Sequence, residues 1–514
     1  MWGESMSISI SKAPFVVALL LLTATSTGAQ VASPSIEQRL QQLEAEQAAM
    51  KQQLAERDRL IQDLRQELGV QTAATVEGED SVASTSAAPA EPEPIADDAA
   101  AALPDSGASD KTAFEPKVET WGVYDPGRGF RVARTDYGEL DISAYGMVRY
   151  MNHNDDNGSF KDHLGNVRSI DERQDIYSHR VMVFLKGWVG SEKLIYNVTL
   201  WTVNTTDQDA IFANIGYQFS KKFSLYAGLT GNPGSRSLNG SHPYWLAHDR
   251  VMADEFFRPF FGSGIYAMGE AVPGLWYSAV VSNNNSTLGV KASQLDRKFG
   301  YGGTVWWMPT THEFGPRGGY GDWEWHEEVA TRFGFSVYSS DEQSFRNSSG
   351  NPDNTTLRFA DSVNVFETGS LAPGVTIENA DYRVLALDAG VKYKGMFLQG
   401  EFYQRWLDNF DADGPLPVGE VKDNGFYVQA SFFPIKQKLE LYGITSQIFG
   451  DGDAGYGDSS EYGVGMNWYP YPTRNHRLNI QFLDVNKSPV SSTFGYYTGG
   501  LDGWSLASSF SVFF

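Results

Sequence analysis

Residues 138–150 read GELDISAYGMVRY. In an extended chain Leu140, Ile142, Ala144, Gly146, Val148 and Tyr150 share one face, and Asp141, Ser143, Tyr145, Met147 and Arg149 share the other. Successive strand side chains point to opposite sides, so an apolar surface here backs a polar one. The pattern returns in Phe426, Val428, Ala430 and Phe432 against Tyr427, Gln429 and Ser431, and in Leu478, Ile480 and Phe482 against Arg477, Asn479 and Gln481. Such a chain suits hydrocarbon outside and water inside. A soluble sandwich alternates as well, so one strand leaves both open.

The number of strands separates these readings. Period-two segments fall near 138–152, 178–189, 192–203, 209–219, 222–231, 262–270, 274–282, 298–308, 328–339, 381–394, 396–407, 424–433, 437–448, 460–469, 476–486 and 504–514, about sixteen in all. An even count is what bacterial single-chain barrels have. Short connections (190–192, 220–222, 393–395, 434–436) alternate with long ones (153–177, 231–261, 283–297, 340–380, 408–423, 487–503). Periplasmic turns and extracellular loops differ in this way, which puts the N-terminus in the periplasm. Residues 309–327 break the rule, being long on the short-turn side, and suggest a missed element. The expected fold is therefore all-β, a sixteen-stranded antiparallel transmembrane β-barrel over 118–514, preceded by an α-helical coiled coil.

Trp201, Trp276, Trp306, Trp307, Trp406 and Trp468 lie mostly near strand ends, where aromatic girdles form at membrane interfaces. Some would equally suit the core or lumen. At the C-terminus Leu506, Phe510, Val512 and Phe514 share one face of a last strand. A terminal Phe514 on an alternating strand resembles the recognition signal of the outer-membrane barrel-assembly machinery, with Phe510 and Val512 as its other apolar positions.

Upstream of the barrel the character changes. Residues 1–29 read as a signal peptide: Lys12, an apolar run Ala13–Leu22, and small residues Thr27, Gly28 and Ala29 for cleavage. Over 30–68, Ile36, Leu40, Leu43, Met50, Leu54, Ile61, Leu64 and Leu68 follow steps of four and three, with Gln47 and Arg57 at polar core positions. One helix cannot bury that stripe alone, so a self-associating periplasmic coiled coil is expected, a solvated single helix being the alternative. Residues 69–117 are rich in Ala, Pro, Ser and acids, with too little apolar surface to order, and read as a disordered acidic linker.

Composition excludes several classes. With no cysteine among 514 residues there are no disulfides or thiolate sites, and a net charge of -23 argues against nucleic acid as a partner. No nucleophile elbow, phosphate loop or dinucleotide fingerprint occurs in its needed context, so neither an enzyme nor a cofactor is expected. His326-Glu327-Glu328 lacks the second histidine of a zinc-protease helix, and no metal is expected. Asp451, Asp453 and Asp458 in a glycine-rich loop have the chemistry for calcium but read first as a turn.

Residues 248–259, HDRVMADEFFRP, resemble the third-loop region of the phosphate-selective porin O and P family, and residues 138–146 resemble that family's first barrel strand. The likeness covers most of 138–514, and a coiled coil before the barrel is familiar there. It implies a trimeric porin in outer-membrane lipid, whose third loop folds inward to narrow the channel. Residues 231–261 stand at the corresponding place and carry Arg236, His242, His248, Arg250 and Arg258, opposed by Asp249, Asp254 and Glu255. Cations around a narrow, low-dielectric opening select anions. The alternative, favoured by the nearby acids, is that Arg250 and Arg258 pair with Asp254 and Glu255 and pin the loop. Lumen-facing Arg149, Arg180, Lys186, Lys392, Arg405 and Arg477 are likewise balanced by Asp141, Asp388, Glu401, Glu440 and Glu461. Phosphate as solute follows from the resemblance alone.

The expected function is passive diffusion of small hydrophilic solutes, anions such as phosphate among the candidates. A second reading is a structural anchor whose coiled coil tethers the barrel to a periplasmic partner. A barrel-embedded hydrolase would need a Ser/His/Asp cluster on one rim, and His242, His248 and His312 have no suitably spaced companions.

Overall fold

The period-two segments form strands that pair antiparallel with their sequence neighbours and close on themselves. In the computed structural model, residues 129–514 are described except 204–207, 239–242, 284, 286–297, 316–318, 345–356 and 492–495. The expected signal peptide, coiled coil and linker, and His242, lie outside the described residues. The strands are β1 (Phe130–Thr135), β2 (Gly138–Asp155), β3 (Ser159–Lys161), β4 (Val167–Ser169), β5 (Gln174–Val189), β6 (Ser191–Val203), β7 (Gln208–Ser220), β8 (Phe223–Gly231), β9 (Phe261–Val272) and β10 (Leu275–Ser282). They continue as β11 (Gly300–Trp307), β12 (Ala330–Gln343), β13 (Ile377–Tyr393), β14 (Met396–Ala412), β15 (Glu420–Ile435), β16 (Leu439–Phe449), β17 (Ser459–Trp468), β18 (His476–Asn486) and β19 (Gly503–Phe513). Among the described residues one short α-helix, α1 (Met252–Phe257), lies between β8 and β9.

From β2 through β5 to β19 the strands make a closed sixteen-stranded antiparallel barrel, the seam being β19 on β2 with Phe513 opposite Tyr145. Closure leaves no open edge, so every backbone donor and acceptor at membrane depth finds a partner within the wall. Below the seam β1 takes the edge of β2 that β19 vacates, with Phe130 opposite Ile142 and its ring 5.2 Å from that of Phe514. Backbone hydrogen bonds between Phe514 and Ala144 tie the last residue into the same edge.

The alternation read in the sequence is the wall's inside and outside. Asp141, Ser143, Tyr145, Met147 and Arg149 are buried toward the interior, whereas Val148, Phe432, Ile480, Phe482, Phe510 and Phe514 stand exposed on the outer surface. All sixteen expected strands are present. The hairpin β3–β4 and the strand β1 were not anticipated, since three to six residues carry too little alternation to register. β14 and β15 reach to Ala412 and from Glu420, so the expected long connection 408–423 shrinks to a short loop. A membrane crossing needs about 9–11 strand residues. β13 and β14, at 17 each, stand well beyond it, and polar Asp408, Asn409 and Asp411 mark the watery end.

Three of the six tryptophans, Trp201, Trp276 and Trp306, face the interior and are not girdle residues. Trp201 and Trp306 point inward and are buried, at 2% and 7% exposure, and Trp276 stacks on Trp306 at 6.1 Å. Trp307 and Trp468 face outward. Parity along the strand, which decides side, outweighs nearness to a strand end.

The described residues of 309–327 hold no strand. Among the described residues this connection turns inward from the short-turn rim and buries Phe314, Tyr320 and Asp322. Lys392 of β13 holds it with hydrogen bonds of 2.8 Å to the carbonyls of Phe314 and Gly319.

Candidate functional site: the lumen and its inward segments

Side chains on the inner faces of β14 and β16 to β19 receive the long β8–β9 segment. Its short helix α1 starts without a capping side chain of its own, which would leave its first N–H groups unsatisfied. The wall supplies the acceptors: Glu461 Oε1 takes the N–H of Met252 at 3.0 Å, and Ser446 Oγ takes that of Ala253 at 2.7 Å. Tyr382 donates to the carbonyl of Phe257, Tyr497 to that of Arg250 and Asn467 to that of Leu246. Phe257 stacks on Tyr403, its ring 5.2 Å away. Gly425 on β15 permits this approach, since a Cβ there would lie 2.6 Å from the Phe257 ring.

Among the described residues, the cations of this segment do not form an unopposed ladder. Arg258 grips Glu255 with two bonds of 2.9 and 2.7 Å and lies over the Phe260 ring. Arg250 sits 3.6 Å from Asp254 and 4.0 Å from Glu255, and donates to Ser237 at 2.8 Å. The pairing alternative is therefore the arrangement found for both. Arg236 is buried, with its backbone N–H on Glu401, its guanidinium 3.9 Å from Asp388 and 4.0 Å above the Tyr320 ring. His248 is fully buried, hydrogen-bonded to Ser509 at 2.6 Å and stacked near Tyr496. Burial, then the neighbouring Arg149 and Arg477, hold its pKa well below the ordinary histidine value. Its surroundings therefore disfavour a charge on this ring. Asp254 moves the other way, raised by burial against the pull of Arg250 and Arg258.

The wall cations meet the same fate. Arg180 makes bonds of 2.8 and 3.0 Å to both oxygens of Asp249, and Arg149 lies 4.0 Å from the same carboxylate. Arg405 pairs with Asp423, both side chains wholly enclosed, and lies over the Phe256 ring. Lys392 has Glu324 at 3.8 Å, and Lys186 faces Asp141 across β2 and β5. Arg477 donates to the carbonyls of Trp245 and Ala247, so it pins the inward segment. Sequence reading listed these cations but missed Arg332 and Arg474, which pair with Asp388 and Glu324 at 2.9 Å each. Arg332 was legible from its alternating strand position; Arg474, in the β17–β18 connection, carries no such signal.

At the short-turn rim an open cleft of about 440 Å³ is lined by Thr311, Glu313, Glu324, His326, Glu327 and Glu328. Asp322, Glu324 and His326 bring their ligand-type atoms within 4.8 Å of one another, the grouping most like a metal site among the described residues. Yet His326 Nδ1 faces Asp322 and Nε2 lies 2.7 Å from Glu313. Both ring nitrogens are donors in that arrangement, so the imidazole offers no lone pair to a metal. Asp451 is spent similarly: it caps the turn Gly452–Ala454 through Asp453 N and Ala454 N and accepts from Lys422 N, as a turn aspartate does.

Fold and lumen together define a closed sixteen-stranded antiparallel β-barrel of the outer-membrane kind. Residues 332–493, running from β12 past β18, match the model of the family described as phosphate-selective porin O and P, so the resemblance is borne out over that part of the wall. The two stretches that first carried it, 138–146 and 248–259, lie outside the matched residues. No curated protein matches the chain. Among solved structures, OmpT of Vibrio cholerae is 10% identical, covering 74% of this chain and 99% of its own, with a TM-score of 0.47. An anion-selective porin from Comamonas acidovorans is 12% identical over 73% of this chain and 99% of its own, at a TM-score of 0.43. The outer membrane channel DcaP of Acinetobacter baumannii is 9% identical over 74% and 99%, at 0.38.

Proposed function

We propose that the barrel is a passive diffusion pore for small hydrophilic solutes, narrowed by the β8–β9 segment, with the long-loop rim extracellular and the short-turn rim periplasmic. The observation that carries this reading is the bonding of that segment to inner-face side chains on β14 and β16 to β19, which lie across the barrel from β8 and β9. A segment so held divides the lumen and leaves charged pairs beside the passage. Paired cations and acids make a transverse field without a net sign, which favours polar solutes over apolar ones and discriminates weakly between anions and cations. Among the described residues no concentrated cationic path supports phosphate selectivity. Homotrimer assembly, with Phe510, Val512 and Phe514 presented to the barrel-assembly machinery, completes the reading.

The test is a planar-bilayer measurement with purified protein under a potassium chloride gradient. Discrete conductance steps with a reversal potential near zero are expected. A strongly chloride-favouring potential would instead restore anion selectivity, and absence of any conductance would leave the tethered anchor as the function.

A further inference from the structure

The inward turn at the short-turn rim has no place in the diffusion reading so far, yet it reaches the middle of the lumen. Tyr320 is 3% exposed, its N–H donates to the carbonyl of Tyr244 at 2.7 Å, and its hydroxyl lies 3.2 Å from that of Tyr427. Arg236 of the β8–β9 segment sits on its ring. Segments from the two rims therefore meet at Tyr320. What keeps the inner one in place is a compact set of charges immediately after it. Asp322 accepts from the N–H of Gly395 at 2.7 Å, in the β13–β14 turn, and from that of His326. His326 returns through its carbonyl to Lys394 N at 2.8 Å.

We propose that His326, held as an imidazolium between Glu313 and Asp322, is the latch that keeps residues 319–329 folded into the short-turn mouth, and that releasing it widens the pore. This rests on the diffusion reading. A ring between two ionised carboxylates donates to both only when it carries both protons, and loss of either sets two acceptors face to face. The stretch also has a reason to leave. Trp325 adopts a left-handed backbone with φ 64, a conformation bulky residues hold only when their surroundings impose it. Its ring is trapped against Gly395 and beneath Lys436.

Other charges face the latch from each packed element. Glu324, Glu327 and Glu328 lie on its own stretch, His312 beside Glu313, Lys392 on β13, Lys394 on the β13–β14 turn, Lys436 on the β15–β16 turn and Arg474 before β18. Burial opposes charge on His326, but the hydrogen bonds to Asp322 and then Glu313 prevail and raise its pKa to about 9. Since that lies above the ordinary 6.5, the latch contributes fully below about pH 6.5 and is lost as pH climbs through about 9.

Single-channel conductance of the full chain between pH 6 and pH 10 tests this. Wild type should show a conductance rise centred near pH 9. His326→Arg, charged throughout, should stay low and flat, and His326→Gln should show the alkaline conductance already at pH 7. Glu313→Gln, at a half-exposed position that folding tolerates, should move the rise downward toward pH 6.5. A flat wild-type profile overturns the latch, as does a rise that survives in His326→Arg, since Lys392 or another group would then be titrating. Channels that conduct but ignore pH sink the latch alone. No channels under any condition sink the diffusion reading and the latch with it.

Discussion

Arg405 and Asp423 show what a lumen of paired charges demands of single residues. Both are fully enclosed, and Arg405 also covers the rings of Phe256 and Phe257. Removing one partner of a buried pair strands the other charge, at a cost of roughly 3–5 kcal/mol. Arg405→Ala should therefore lower barrel stability by about that amount, read as a lower temperature for loss of the compact form on unheated gels. Adding Asp423→Asn should recover much of the loss, because the uncompensated carboxylate is gone. Asp249 matters differently, since one carboxylate answers both Arg180 and Arg149. Asp249→Asn should uncover both cations and move the reversal potential in a salt gradient toward chloride. If the potential stays unchanged, these groups lie off the ion path.

At the scale of elements, α1 is too short to persist by itself and depends on acceptors lent by the wall. Glu461→Gln keeps an acceptor for Met252 and should be mild, whereas Glu461→Ala together with Ser446→Ala removes both and should loosen the segment. Replacing side-chain acceptors at a helix start typically costs about 0.5–2 kcal/mol each. Gly425→Val acts from the other direction, driving a side chain against the Gln447 carbonyl of β16 and into Phe257. Increased conductance and faster trypsin cleavage after Arg250 are the expected signs of displacement in both variants. Unchanged cleavage would show that the remaining contacts, from Tyr382, Tyr497 and Asn467, hold the segment unaided.

For the molecule as a whole, barrel and N-terminal region are expected to act separately. Deleting residues 30–110 should leave conductance unaltered, and an accompanying loss of envelope integrity would make the coiled coil a tether. A change in conductance would instead tie that region to the pore. The barrel itself was readable residue by residue: hydrocarbon outside and polar groups inside impose period two on every crossing, and sixteen crossings are hard to mistake. Reading failed where that constraint lapses. β3 and β4 lie in a loop, the upper ends of β14 and β15 stand in water, and Trp201 and Trp306 were judged by nearness to a strand end rather than by parity.

The alternation in residues 138–150, repeated around the wall, was by itself enough to specify a transmembrane barrel, its inner and outer faces and an inventory of inward cations. Which carboxylate answers each cation was settled only by the tertiary structure. Arg258 and Glu255 are three residues apart, but Arg180 and Asp249 are 69 apart and Arg236 and Asp388 are farther apart still. Such partners meet because a segment from one side of the barrel crosses to the other, and that crossing leaves no periodic trace. The same holds at residues 309–327, where a length anomaly marked something unusual and only folding brought His326 between Glu313 and Asp322. A strand's burial is dictated by its neighbours in sequence; a latch depends on residues gathered from three turns.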